Sequence, residues 1–322
     1  MPNIVLAFFV STELCYYLLI AQTGIVEYFS SDIFTIIYLP IGGVIGSILS
    51  YIIQISNSNK IKFFLSIQFI ITLLYPHLSS LMLLILGVAV GAMAPLMINE
   101  LKKGTNLDVG IALVIAYVVG TTLFTYNPAL RGDIGLILTL LSLVSFLFVP
   151  HGTYHSYKST TNFSILSMLL WTFLDSSLFE TLSRDAGMSI WRDGYSFEIA
   201  FFHIIGIILA LKIKVQKPQQ ELFIMILFAL SYLLYFLKEP LLLSMVYPIV
   251  ISYYNVVILQ TLIKKGIKTL SIYMIFIGWA ASGAGLFIAL KGLIFFVPLI
   301  FVLFLTNTIN QQQKSKEGVY YA

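Results

Sequence analysis

Two carboxylates sit well inside apolar stretches of this sequence: Glu13 in IVLAFFVSTELCYYLLIAQ and Asp175 in SILSMLLWTFLDSSLFE. A carboxylate at the centre of a bilayer costs about 2.5–3.5 kcal/mol on insertion scales, so such an acid points to a proton relay or a cation site. A packing acid, hydrogen-bonded to a neighbouring helix, is the other reading. On a helix, Tyr16 and Tyr17 share the face of Glu13, whereas Gln22 points to the opposite side. Tyr253, Tyr254 and Asn255 add aromatic and polar groups in a later apolar stretch. Carboxylates beside aromatic faces suit a cation, through charge pairing and cation–π attraction.

Soft ligands are present too. Met93 and Met97 form a Met-x-x-x-Met pair, and Cys15 and His203 lie in apolar stretches. Thioethers and thiolates favour Cu(I), although a buried histidine or a methionine pair also serves as plain packing. The densest polar stretch is ETLSRDAGMSIWRDGYSFE, 180–198. Glu180 and Arg184 stand four apart, as an ion pair on a helix requires. With Asp185, Arg192 and Asp193 they form a candidate outer gate, or an anchor for a membrane partner protein. There is no Gly-x-Ser-x-Gly, His-Glu-x-x-His or phosphate-binding loop, so neither an enzyme nor an ATP-driven pump is indicated, and no cofactor is called for.

The elements that must position these residues follow from composition. Of 322 residues, 59% are hydrophobic and 10% charged, with mean hydropathy +0.96. Soluble domains carry about 25% charged residues, so a soluble fold is excluded. The net charge of +4 comes without a dense basic run, which argues against nucleic acid. A single cysteine makes no internal disulfide. The first apolar run lacks a basic leader and a clear cleavage site, and reads as a retained helix.

On a ruler of about 20 apolar residues per crossing, twelve spans fit: 4–26, 32–55, 62–76, 78–99, 108–126, 133–150, 163–183, 196–213, 221–237, 240–263, 268–290 and 292–309. Only Tyr75-Pro76-His77 separates the third from the fourth, so ten or eleven spans remain open. With twelve spans and both termini inside, the lysine clusters at 60–62, 102–103, 212–217, 264–268 and 314–316 all fall on the cytoplasmic side. Excess Lys and Arg belongs there. The polar segment HGTYHSYKSTTN, 151–162, divides the chain into a six-helix half at 1–150 and another at 163–309. A polar tail follows at 310–322.

Six plus six helices about a central cytoplasmic linker resembles the major facilitator superfamily. The sixth, ninth and twelfth segments (IGLILTLLSLVSFLFV, LFIMILFALSYLLYFL, LIFFVPLIFVLFL) carry no charge, and glycines gather in the second, fifth and eleventh (Gly42, Gly43, Gly46; Gly110, Gly120; Gly278, Gly283, Gly285). The family's Gly-x-x-x-Asp-x-x-Gly-Arg-Arg signature is missing from SYIIQISNSNKIK between spans two and three. A ten-helix drug/metabolite-type transporter is the competing fold. The resemblance implies an all-α multi-pass protein of the plasma (inner) membrane. In that family helices one, four, seven and ten line a cavity, and two, five, eight and eleven join the halves. The implied function is secondary transport of a small solute or ion, with Glu13 and Asp175 as coupling sites. A copper-type importer and a non-transporting assembly factor are the alternatives.

Overall fold

The computed structural model describes residues 3–29, 33–150, 162–185, 187–213 and 216–303. The central linker (all but its last residue) and the C-terminal tail lie outside the described residues. The helices are α1 (Ile4–Tyr28), α2 (Phe34–Ile52), α3 (Asn57–Thr72), α4 (Ser80–Glu100), α5 (Asn106–Leu123), α6 (Arg131–Leu147), α7 (Ile165–Arg184), α8 (Ser196–Lys212), α9 (Lys217–Phe236), α10 (Pro240–Leu262), α11 (Ile267–Leu290) and α12 (Ile294–Leu303). Among the described residues, nine of them are long and apolar enough to cross a membrane; α3, α8 and α12 are shorter.

Polar side chains set where the helices begin. Asn3, Ser56, Ser79 and Ser164 each accept a backbone N–H of the first turn of α1, α3, α4 and α7. Each satisfies a donor that has no partner inside the helix. Thr105 and Asp108 form a reciprocal cap on α5. Pro218 and Pro240 open α9 and α10, where a missing N–H costs nothing. Around Tyr75-Pro76-His77 the chain leaves α3 at Thr72 and re-enters α4 at Ser80, and the two helices pack on each other. The stretch is therefore two helices and not one kinked helix.

Packing repeats with an offset of six. α1 lies against α5 and α6, and α7 against α11 and α12; α2 pairs with α4, and α8 with α10; α3 covers α4, and α9 covers α10. Between the two sets the contacts are α2 and α4 with α11, and α5 with α8 and α10. Large apolar side chains stay exposed on α3 (Phe63, Ile70), α6 (Ile137, Leu140, Val144), α9 (Ile226, Leu233) and α12 (Phe295, Leu299). Bands of this kind need a lipid solvent. The chain is a multi-pass membrane protein.

Not every expected glycine marks a close approach. A Cβ on Gly42 or Gly46 would strike backbone atoms of α4, one on Gly43 the Trp279 ring, and one on Gly285 the backbone of α7. Gly283 faces open space, and Gly120 has only an ordinary contact. Sequence alone did not point to Gly87 and Gly91 on α4, which complete the α2–α4 crossing: a Cβ on either would meet backbone atoms of α2.

Two helices leave the α geometry. α1 is π-helical over Tyr17–Gly24 and α11 over Ile275–Ala281. Segments of this kind are rare and gather at functional sites.

Candidate functional site

The two sets of helices enclose a cavity of about 250 Å³. Its wall takes Glu13, Tyr17 and Gln22 from α1, Met93 and Met97 from α4, Tyr117, Thr121 and Phe124 from α5, and Asp175 and Phe179 from α7. Trp191, His203 of α8, Tyr254 and Asn255 of α10, and Trp279 and Ser282 of α11 complete it. Among the described residues the wall holds two carboxylates and no lysine or arginine.

Asp175 is gripped from α10. Its Oδ1 accepts from Tyr247 Oη at 2.7 Å and its Oδ2 from Tyr254 Oη at 2.6 Å. Glu13 is held differently. Only 4% exposed, it accepts at Oε2 from Gln68 Nε2 of α3 at 3.3 Å. Among the described residues neither acid has an ion-pair partner. Tyr16 also turns toward α3, where its hydroxyl meets Thr72 Oγ1 at 2.6 Å. Tyr17 instead meets Trp279 edge to face, ring centres 6.4 Å apart.

Three expectations need correction. Tyr253 is not on the cavity; it is buried and packs on Phe223 of α9 at 5.0 Å. Neighbours on a helix point about 100° apart, so Tyr253 and Tyr254 do not share a wall. Cys15 is likewise buried away from it, with Sγ donating to Ala116 O at 3.3 Å. Gln22, expected opposite Glu13, does line the cavity. The π-helical segment closes i→i+5, turns less per residue and swings Gln22 back.

The remaining soft ligands diverge. Met93 and Met97 share the cavity wall with His203. The imidazole, however, is fixed: its Nδ1 is 2.7 Å from Ser252 Oγ, and its ring stacks on Tyr117 at 4.2 Å and 3°. Asn255 Nδ2 in turn donates to Tyr117 Oη at 2.8 Å, so α5, α8 and α10 are tied together at this point. Among the described residues no cluster of three His, Cys, Asp or Glu could hold a metal.

At the end of the bundle that carries Arg131, Arg184 and Arg192, the arginine end, the charges pair over long range. Glu180 and Arg184 form the expected bridge at 2.8 Å. Asp185 accepts from Tyr235 Oη at 3.2 Å and Lys238 Nζ at 3.3 Å, while Asp193 is exposed. Arg192 reaches Glu27 at the end of α1, 2.8 Å away, and Arg131 stands 3.7 Å from the same carboxylate. Arg131 is fully buried and donates to Tyr126 O, Phe124 O, Leu19 O and Thr23 Oγ1. Beneath these charges Trp191 packs on Phe124 (5.4 Å), Phe179 (4.9 Å) and Tyr247 (6.2 Å). Sequence reasoning missed Glu27, Arg131, Gln68, Tyr117, Tyr247 and Trp279. Only Glu27 and Arg131, charges at the edge of apolar runs, carried any signal.

No family model matches the sequence, and no curated protein does. Solved structures do match in shape. The human organic anion transporter MFSD10 (TETRAN) superposes with a TM-score of 0.57 at 14% identity, covering 93% of this chain and 97% of that one. The E. coli fucose:proton symporter FucP superposes with a TM-score of 0.58 at 11% identity, covering 94% and 97%. Over nearly the full length of both neighbours, the chain has the fold of the major facilitator superfamily.

Proposed function

We propose that this protein is a secondary transporter of a small organic cation, driven by a proton or cation gradient. The observation that carries the proposal is the cavity between the two helix sets, whose largely apolar wall bears two carboxylates without a basic partner among the described residues, together with the rings of Tyr17, Tyr117, Phe124, Phe179, Trp191, Tyr254 and Trp279. Such a wall favours a positive substrate through charge and ring faces together. The organic-anion and fucose specificities belong to the two neighbours, and the charge of this wall differs in kind from what an anion needs.

The mechanism is rocking of two six-helix halves, 1–150 and 163–309, about the cavity, with twelve crossings and both termini cytoplasmic. The offset-of-six packing supports this division. Asp175, Tyr17, Tyr254 and Asn255 contact the substrate, and Glu13 with Asp175 supplies the coupling charge. The arginine end is then outside. Glu27–Arg192 closes it together with the Trp191 rings, and Glu180, Arg184 and Asp185 brace the same loop. The plasma (inner) membrane is the expected site. A copper-type importer is the second reading, favoured by Met93 and Met97 standing together on the cavity wall.

The test is uptake of a panel of radiolabelled organic cations, with organic anions, a sugar and Cu(I) as parallel arms, into proteoliposomes with and without an imposed proton gradient. Accumulation of a cation should need the gradient and be abolished by Asp175→Asn, which keeps the shape of the side chain but removes its titratable proton. Substrate exchange without a gradient should survive that change. Uphill transport undiminished in Asp175→Asn would overturn the role of Asp175, and transport of none of the panel would favour the assembly-factor reading.

A further inference from the structure

The two acids are built into different surroundings, and the difference is chemical. Both oxygens of Asp175 are taken by hydroxyl donors at the cavity wall. Glu13 is served from behind the wall by the Gln68 amide, with the Ser142 hydroxyl of α6 also beside it, and the amide is shared: its Nε2 lies 3.3 Å from Glu13 Oε2 and 3.2 Å from Thr139 Oγ1 of α6. Gln68 is fully buried, and its Oε1 has no hydrogen-bond partner among the described residues. An orphaned buried acceptor is costly and calls for an explanation. The group beside it that is able to become a donor is Glu13 itself, once its carboxyl carries a proton.

We infer that Glu13 and Gln68 form a proton site separate from the substrate-contacting Asp175, with Gln68 as the positioning residue that accommodates both states of the carboxyl. With Glu13 ionised, Nε2 donates to it. With Glu13 neutral, its O–H is the donor, and the amide turns its orphaned Oε1 to accept it. Because Nε2 also donates to Thr139 Oγ1, the change is felt on α6 as well as on α1 and α3. The titratable neighbours are few. Tyr16 and Cys15 lie on α1 itself; α3 presents Gln68 and Thr72, and α6 presents Thr139 and Ser142, none of which titrates. On α5 the titratable groups are Asp108 and Tyr117, and on α6 Arg131 and Asp133 of its first turn; Asp108 and Arg131 are engaged elsewhere, with Asn3 N at 2.6 Å and Thr23 Oγ1 at 2.8 Å, and Tyr117 Oη accepts from Asn255. The inference rests on Glu13 being a coupling acid, but its test does not need a substrate.

The test is infrared difference spectroscopy of the full-length chain in lipid nanodiscs, titrating the carboxylic C=O stretch against pH. Glu13→Gln and Asp175→Asn assign the two bands. Gln68→Met removes the donor to the ionised form, so the Glu13 midpoint should rise by about one pH unit. Thr139→Val returns Nε2 wholly to Glu13, and the midpoint should fall. The Asp175 band should stay in place in both variants. A role confined to packing would not move the Glu13 midpoint in opposite directions. An unmoved Glu13 band, or an Asp175 band that moves with it, overturns the inference. Loss of uptake with these spectral shifts intact would instead count against the transport reading.

Discussion

In the proposed mechanism the arginine end is held closed by contacts weak enough to be broken one at a time, and their strengths are unequal. Glu27 bridges to Arg192 across the two helix sets at 2.8 Å, but the Arg192 side chain is 43% exposed. Pairs this open contribute about 0.2–1 kcal/mol. Arg131 also faces Glu27, but α1 and α6 are in the same set, so that arm does not oppose opening. Arg192 makes a second crossing, its guanidinium lying 5.7 Å from the ring centre of Phe124 on α5. A cation–π contact at an exposed site adds about 0.5–1 kcal/mol. Glu27→Gln therefore removes up to about 1 kcal/mol of closure, and Arg192→Met about 0.7–2 kcal/mol. At about 1.4 kcal/mol per factor of ten, the open fraction should rise up to about fivefold in the first and about three- to thirtyfold in the second.

Ser189 is a suitable reporter. It is 1% exposed, whereas Asp193 in the same loop is open. In a Cys15→Ser background, an impermeant maleimide should label Asp193→Cys quickly whatever else is changed. Ser189→Cys should react slowly, and faster in the order wild type, Glu27→Gln, Arg192→Met. Trp191→Ala, which empties the ring cluster under the charges, should exceed all three. Equal Ser189→Cys rates in the wild-type and Arg192→Met backgrounds would refute the gate. So would a Glu27→Gln rate above that of Arg192→Met, since the cation–π contact would then carry nothing.

Other outcomes follow from the same geometry. In intact cells the impermeant reagent should mark Asp193→Cys and spare Ser56→Cys, an exposed position at the opposite end; the reverse pattern would invert the topology. Exchanging Met93 and Met97 together for Leu keeps volume and apolarity, so it should cost less than about 1.5 kcal/mol and spare cation transport. If the double change abolishes copper accumulation instead, the metal reading replaces the organic cation. Gly91→Ala places a methyl against the Gly43 backbone, where nothing flexible is able to yield, and should lower thermal stability in detergent by about 1–3 kcal/mol. Gly283→Ala, in open space, should not.

Helix positions were readable because each crossing consumes a fixed length of apolar chain, and the described helices fall within a few residues of the expected segments, nine of them long and apolar enough to cross a membrane. Asp175, Tyr254 and Asn255 were readable because a charge in hydrocarbon is costly and attracts attention to its helix. Gln68 gave no such signal, since a neutral amide scarcely interrupts the apolar run FFLSIQFII. The Glu27–Arg192 pair joins residues 165 apart, and no local period encodes that. The failure at Gln22 has a more specific cause. Assigning faces from spacing assumes a constant rotation per residue, and α1 and α11 abandon it over Tyr17–Gly24 and Ile275–Ala281. Those two segments carry Tyr17 and Trp279, whose rings meet between the helix sets. Widening α1 brings Gln22 round to the cavity wall that Tyr17 shares with Trp279 and Ser282, which a uniform helix would not do for Gln22. The irregular backbone thus falls where the two helix sets meet. There, propensity and periodicity yield to the packing of rings that lie far apart in sequence.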